Sequence, residues 1–486
     1  TLGESGGPIT HDMNGPEIYA TIFTIAPSHF DVNTIWTGSD DGLVQVTRDG
    51  GRTWKDVTPT GLPHFARISL IEASPHKPGT AYVAAKCYQL DDRAPYIYRT
   101  DDYGRTWTKI VTGIRADDYV HAVREDVKRA GLLYAGTEHG IYVSWDDGAH
   151  WQSLSLNLPD VQVPDIAVED RDLVIATHGR SMYVLDDISA LRQMTPQSVS
   201  SPLYVYQPRN VRRGLDQATF LYDLAAAADS LSIQVLDAKG AVIRTFSAGA
   251  PAQPGAEEDN PFRRGRAARP TAKAGLNRFT WDMRYPDATS FPGMILWGGS
   301  VSGPVAPPGR YTVRITAAGV TQSRDFEISR DPRNTQVTDA DLQRQFTLAM
   351  QIRDKVSAAN DAVVRIRRIR KDVTDRSASA KDGEVTAAAT TLNGKFSALE
   401  EDLYQVRNRS GQDPLNFPIK LNNRLAALMS SVDRGDAPPT DASYKVFTEL
   451  SADLDVQLRR LATLVSQDLA SFNRLLKSHQ MESITP

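Results

Sequence analysis

The chain has 486 residues, 41% hydrophobic and 23% charged, which is enough for two to four folded domains and rules out wholesale disorder. A formal net charge of -4 is too mild to imply nucleic acid or another polyanionic partner. The single cysteine, Cys87, excludes an internal disulfide and a zinc site built on several thiolates, and no apolar run is long enough to span a membrane.

The opening residues, TLGESGGPITHDMNGPEIYA, have no initiator Met, basic region or apolar core, and read as internal to a longer precursor. GESGGP at 3–8 looks like a serine-protease run but lacks the rest of a triad, so it reads as a turn-rich loop.

Residues 1–189 then show a repeated unit. TGSDDGLVQVTRDGGRTW at 37–54 matches AGTEHGIYVSWDDGAHW at 135–151, and YIYRTDDYGRTW at 96–107 repeats the second half. The shared core is Ser/Thr-x-Asp-x-Gly-x-x-Trp: Thr47, Asp49, Gly51, Trp54; Thr100, Asp102, Gly104, Trp107; and Ser144, Asp146, Gly148, Trp151. The spacing, roughly 45 to 50 residues, is that of a four-stranded propeller blade. ATHGRSMYVLDDIS at 176–189 keeps the strand but loses the Gly and Trp, and reads as the last blade. In each box the Asp and hydroxyl accept turn amides, Gly supplies a positive φ and Trp seals the turn, so the boxes read as structural staples.

The boxes lie between the third and fourth strands of a blade. Residues just before the third strand mark the opposite face, where propellers usually bind ligands. Those residues are Asp40 and Asp41; the insertion Lys86–Arg93 with Asp91, Asp92 and Arg93; Glu138 and His139; and His178 with Arg180. Asp40 or Asp91 is the candidate acid or base of a glycosidase, and the others are candidate ligand contacts. The plainer reading is that Asp and Gly sit there because tight turns need them, which applies least to His178 and Arg180. A sialidase needs three arginines on a substrate carboxylate, and Arg93 and Arg180 are the only arginines at these turns.

Residues 190–202 read as a linker, and 203–333 as an immunoglobulin-like or flagellar-hook-cap-like β-sandwich. Its mobile loop is 249–274, and an apolar insert at 291–309 is expected to pack on a neighbour. Trp281, Trp297 and Tyr285 are either a carbohydrate platform or sandwich packing, with packing the stronger reading. From 336 to 480 apolar residues recur at spacings of three and four, first from Leu342 to Val373 and last from Phe447 to Leu476, which predicts an antiparallel helical bundle opening on Thr338–Asp341. RIRRIRK at 365–371 reads as a solvated face of its first helix. The nine histidines show no metal-ligand spacing, so no metal or cofactor is expected.

The three boxes resemble the Asp-box, or BNR, repeat of sialidases, sortilin-type propellers and tandem-propeller glycoside hydrolases. Together with THGRSMYVLDD, LNRFTWDMRYP, FPGMILWGG and QDPLNFPIKLNN they are similar to a bacterial family of large exported proteins often labelled glycosyl hydrolase, BNR repeat. The resemblance implies an extracytoplasmic protein, periplasmic, cell-surface or secreted, of which this chain is the C-terminal portion. Four blades then form part of a larger ring, completed by a preceding segment or partner chain, because an open ring exposes sheet edges. Three functions follow as expectations: a binding or scaffold protein for a protein, peptide or glycan; a glycoside hydrolase completed by the missing region; or a subunit that docks through its helices.

Overall fold

The computed structural model describes residues 20–248 and 269–485, which divide between two compact units with the boundary at Pro196–Gln197. The first unit is a succession of four antiparallel sheets whose strands follow one another in chain order. They are β1 (Ile22–Pro27), β2 (Ile35–Ser39), β3 (Val44–Thr47) and β4 (Lys55–Asp56); β5 (Arg67–Ala73), β6 (Ala81–Cys87), β7 (Asp92–Thr100) and β8 (Thr108–Lys109); β9 (Val120–Glu125), β10 (Leu133–Thr137), β11 (Gly140–Ser144) and β12 (Gln152–Ser153); and β13 (Asp165–Val168), β14 (Leu173–Ala176) and β15 (Met182–Leu185). The first strand of each sheet packs on the first strand of the next, β1 on β5, β5 on β9 and β9 on β13. That is the arrangement of propeller blades around an axis.

The boxes form closely similar turns. Asp102 accepts the Thr106 amide at 2.9 Å and its hydroxyl at 2.8 Å, while the Thr100 hydroxyl accepts the Gly104 amide at 2.9 Å. Asp49 binds Thr53, and Asp146 binds His150, in the same way. Trp107 donates its indole N–H back to the Val57 carbonyl of the first blade at 2.6 Å, and Trp151 donates to the Ile110 carbonyl of the second at 2.9 Å. The second and third boxes thus fasten their blades to the ones before them. Two strand glycines let the blades close up: a Cβ on Gly38 would lie 2.3 Å from the Ile68 side chain, and one on Gly136 would lie 2.4 Å from the Val163 carbonyl.

The fourth blade has three strands and ends in helix α1 (Ser189–Gln193), followed by α2 (Pro196–Ser200). The stretch expected as a linker therefore carries helical turns. Arg192 pairs with the fully buried Asp126 at 2.9 Å, and Arg129 donates to the carbonyls of Leu191, Arg192 and Met194, so α1 is tied to the third blade.

The second unit holds two sheets around one apolar core. One contains β16 (Tyr204–Val205), β18 (Ala218–Leu224) and β21 (Gly275–Trp281); the other contains β17 (Val211–Arg212), β19 (Leu231–Leu236), β20 (Val242–Ser247), β22 (Gly309–Ala317) and β23 (Val320–Ser329). Most of the loop expected at 249–274 lies outside the described residues. The rest is held in place: the Thr271 and Ala272 carbonyls accept from the Tyr222 hydroxyl and the Ala228 amide.

The helices are α3 (Asp339–Ala380), α4 (Gly383–Leu403), α5 (Leu421–Val432), α6 (Asp441–Thr463) and α7 (Ala470–Ser478), with a π-helical turn at Leu464–Leu469 joining the last two. Thr338 and Asp341 form a reciprocal capping box at the start of α3. The apolar insert supplies Phe291 and Val301 to the helical core. Trp281 is 1% exposed inside the sheets, Tyr285 rests on Phe346, and Trp297 is anchored through its backbone by Asn423, so these three aromatics build no shared platform. RIRRIRK departs from a solvated face, because Arg367 and Arg370 both reach the buried Glu400 of α4 at 2.7 and 2.6 Å. No helix among the described residues is long and apolar enough to cross a membrane.

Candidate functional site

In an up-and-down blade, the turn from second to third strand and the start of the first strand share one end. At that end the third and fourth blades border an open, shallow cavity of about 460 Å³ lined by Glu138, His139, Asp160, Val161, Gln162, His178, Gly179 and Arg180. Backbone bonds set its walls. The Val163 amide donates to the Thr137 carbonyl at 2.9 Å and the His178 amide to the Gln162 carbonyl at 3.0 Å, closing the fourth blade's entry loop onto both neighbouring strands. A turn with the Thr177 amide on the Ser181 carbonyl and φ +86 at Gly179 then presents His178 and Arg180.

A chain of side chains runs inward from this cavity. Lys86 Nζ is 3.0 Å from His121 Nδ1, His121 Nε2 is 3.2 Å from Glu138 Oε2, and the Gln162 side-chain amide bridges His121 Nε2 at 2.9 Å and His178 Nδ1 at 2.6 Å. The donor inventory assigns the protons. The Lys86 ammonium must donate to Nδ1, so Nε2 carries the hydrogen and donates to Glu138. Gln162 Nε2 faces His121, and the Gln162 amide oxygen accepts from His178 Nδ1–H. His121 is 3% exposed, and burial together with the Lys86 charge holds its pKa well below the usual histidine range against the pull of Glu138. Burial, then the nearby Arg67 charge, pulls Lys86 down to about 8.

A second layer supports the first. The Tyr119 hydroxyl hydrogen-bonds Glu138, and burial is the main cause of its raised pKa. Tyr88 stacks on Tyr119 with centroids 4.7 Å apart. Asp118 is fully buried and accepts the His139 amide at 3.0 Å and the Tyr142 hydroxyl at 3.1 Å, while His139 Nδ1 meets Asp160 at 2.8 Å.

The expected face residues therefore separate into groups. Glu138, His139, His178 and Arg180 come together in the cavity. Asp40 accepts the Thr21 amide at 2.9 Å and Asp41 accepts the Ser39 hydroxyl, both as turn residues of the first blade. Asp91 closes a helical turn at φ +61, Asp92 accepts the Tyr96 hydroxyl at 2.5 Å, and Arg93 is exposed. None of Asp40, Asp41, Asp91, Asp92 or Arg93 lines the cavity. His121, Gln162, Asp160 and Tyr119 were missed because no turn motif marks them. Among the described residues no His, Cys, Asp or Glu group is arranged to hold a metal ion.

This geometry defines a class, an arc of β-propeller blades carrying a polar site at one face. No family model and no curated sequence matches the chain. Among solved structures it is similar to YCF48 from Cyanidioschyzon merolae, with 21% identity and a TM-score of 0.27 over 35% of this chain and 54% of that one. It is also similar to YCF48 bound to D1 peptide, with 16% identity and a TM-score of 0.27 over 42% and 62%. A third is the Niastella koreensis GH74 enzyme, with 14% identity and a TM-score of 0.26 over 48% and 31%. The chain thus spans 54% to 62% of the length of the YCF48 chains it matches.

Proposed function

We propose that this is an exported bacterial protein of the Asp-box, sortilin-like kind, whose propeller face binds a glycan. The observation that carries this reading is the cavity lining, in which Glu138, His139, Asp160, Gln162, His178 and Arg180 are polar and Val161 is the one sizeable apolar side chain. Carboxylate, amide, imidazole and guanidinium groups pair with vicinal hydroxyls through paired donors and acceptors. The His121–Gln162–His178 chain holds this surface rigid before a ligand arrives. The test is a glycan array with the full chain, followed by Gln162→Ala and His178→Ala. Binding that falls about tenfold or more in both variants supports the reading, and a protein or peptide ligand unaffected by either overturns it. Release of reducing sugar from a bound glycan, lost in Glu138→Gln, would move the assignment to a glycoside hydrolase.

A partner blade is part of the same proposal, and the Trp series supports it. Trp107 and Trp151 each rest on the preceding blade, and Trp54, the first of the series, is 42% exposed; Ile22, Phe23 and Ile25 of β1, at the other edge of the same sheet, are exposed too. Gly104 and Gly148 lie against Val57 and Ile110, while among the described residues Gly51 has only Trp54 within 4 Å. A further blade, from a preceding segment or a partner chain, would supply the missing aliphatic residue and carbonyl. The helices of the second unit are proposed only as a secondary docking element.

A further inference from the structure

Arg67 opens β5 and Lys86 is the next-to-last residue of β6, and the two are direct partners in the strand register. Like charges placed opposite one another in a ladder are destabilising, and Arg67 is one reason Lys86 holds its proton weakly. Among the described residues neither has a carboxylate within ion-pair distance. The Arg67 Nε is buried without a hydrogen-bond partner, and its guanidinium lies over the Phe23 ring, 5.1 Å from the centroid. Lys86 uses one hydrogen on His121. Glu138, the nearest acid acting on Lys86, is already engaged by His121 and Tyr119. Among the described residues other partly buried cations of this unit are matched, such as Arg99 with Asp101 and Asp147, Arg124 with Glu72 and Asp165, Arg192 with Asp126, and Arg129 with the carbonyls of Leu191, Arg192 and Met194. Arg67 and Lys86 have no such match, and Lys86 stands two hydrogen bonds, through the His121 imidazole, from Glu138 in the cavity wall.

We infer that Arg67 and Lys86 form an anion subsite that takes the carboxylate of an acidic sugar whose neighbouring hydroxyls occupy the Glu138–Gln162–His178 cavity. The inference rests on the glycan reading and sharpens it from sugars in general to uronates. A planar guanidinium suits a carboxylate, and an ammonium beside it adds charge without demanding geometry. Partial burial strengthens both contacts over what they would be worth in open water.

The test is calorimetric titration of the full chain with trigalacturonate and with galactotriose, its neutral counterpart. Wild type should favour the acidic trisaccharide by about tenfold or more at low salt, with the preference shrinking as salt rises. Arg67→Ala should remove most of that preference while leaving weak binding of galactotriose, and Arg67→Lys should restore part of it; circular dichroism confirms that each variant is folded. Equal affinity for both sugars, unchanged in Arg67→Ala, overturns the anion subsite and leaves the glycan reading standing. If neither sugar binds and a peptide with a free C-terminal carboxylate does, both fall.

Discussion

His121 and the box aspartates are perturbed in the same direction for opposite reasons, and acid should separate them. Burial and Lys86 keep His121 neutral, with its pKa lowered from 6.5 to about 4, so the unfolded chain takes up a proton there that the folded chain refuses. Its stabilising contribution is complete above pH 6.5 and is lost as pH falls toward 4. Asp49 and Asp102 are held down to about 2, the first chiefly by the Thr53 hydroxyl and the second by the Thr106 amide. Their contribution is intact above about 3.8 and is lost only as pH falls through 2. Melting temperature should therefore decline in two phases, a shallow one from pH 6.5 to 4 and a steeper one below. His121→Asn should flatten the first and spare the second; a first phase that survives the substitution would show that another group titrates there.

At the level of elements, the blades are held apart by very little. Gly136 lies on β10 where the next blade's Val163 carbonyl passes, so Gly136→Ala must push two sheets apart and should cost about 1–3 kcal/mol. Gly179→Ala meets no atom within 4 Å and bears only the strain of φ +86, so it should cost about 1 kcal/mol. Urea denaturation of the two variants checks that order. These elements differ in how legible they were. The boxes could be read because Asp, Gly and the hydroxyl act on amides within four residues of them, so function and spacing coincide. His121 could not, since HAV inside β9 reads as strand alternation and its partners stand 35 and 41 residues away. Arg67 is silent for the same reason: it opens a strand and lies at no turn. Glu400, which binds Arg367 and Arg370 across two helices, shows why a charged helix face cannot be called solvated from periodicity alone.

For the molecule as a whole, the two units have separate cores: the blade clusters fall within the first, and the sheet and helix clusters within the second. Residues 197–486 expressed alone should give a cooperative thermal transition coinciding with one transition of the full chain; a chain fragment without near-ultraviolet dichroism would contradict this. Within the second unit, Arg213 binds Asp436 at 2.8 Å and Gln345 at 2.9 Å, and Arg284 binds Asp433 at 2.6 Å, so sheets and helices should melt together. The wet indole of Trp54 has an optical consequence. It is one of seven tryptophans, and Trp297 is the other that is largely exposed. In a Trp297→Phe background, Trp54 is the one indole left with large exposure, so a soluble quencher reaches its emission before that of its shielded counterparts. Iodide should quench that emission readily in the isolated chain and poorly once an adjoining blade covers it, which turns the first link of the ring into its own unlabelled gauge of assembly.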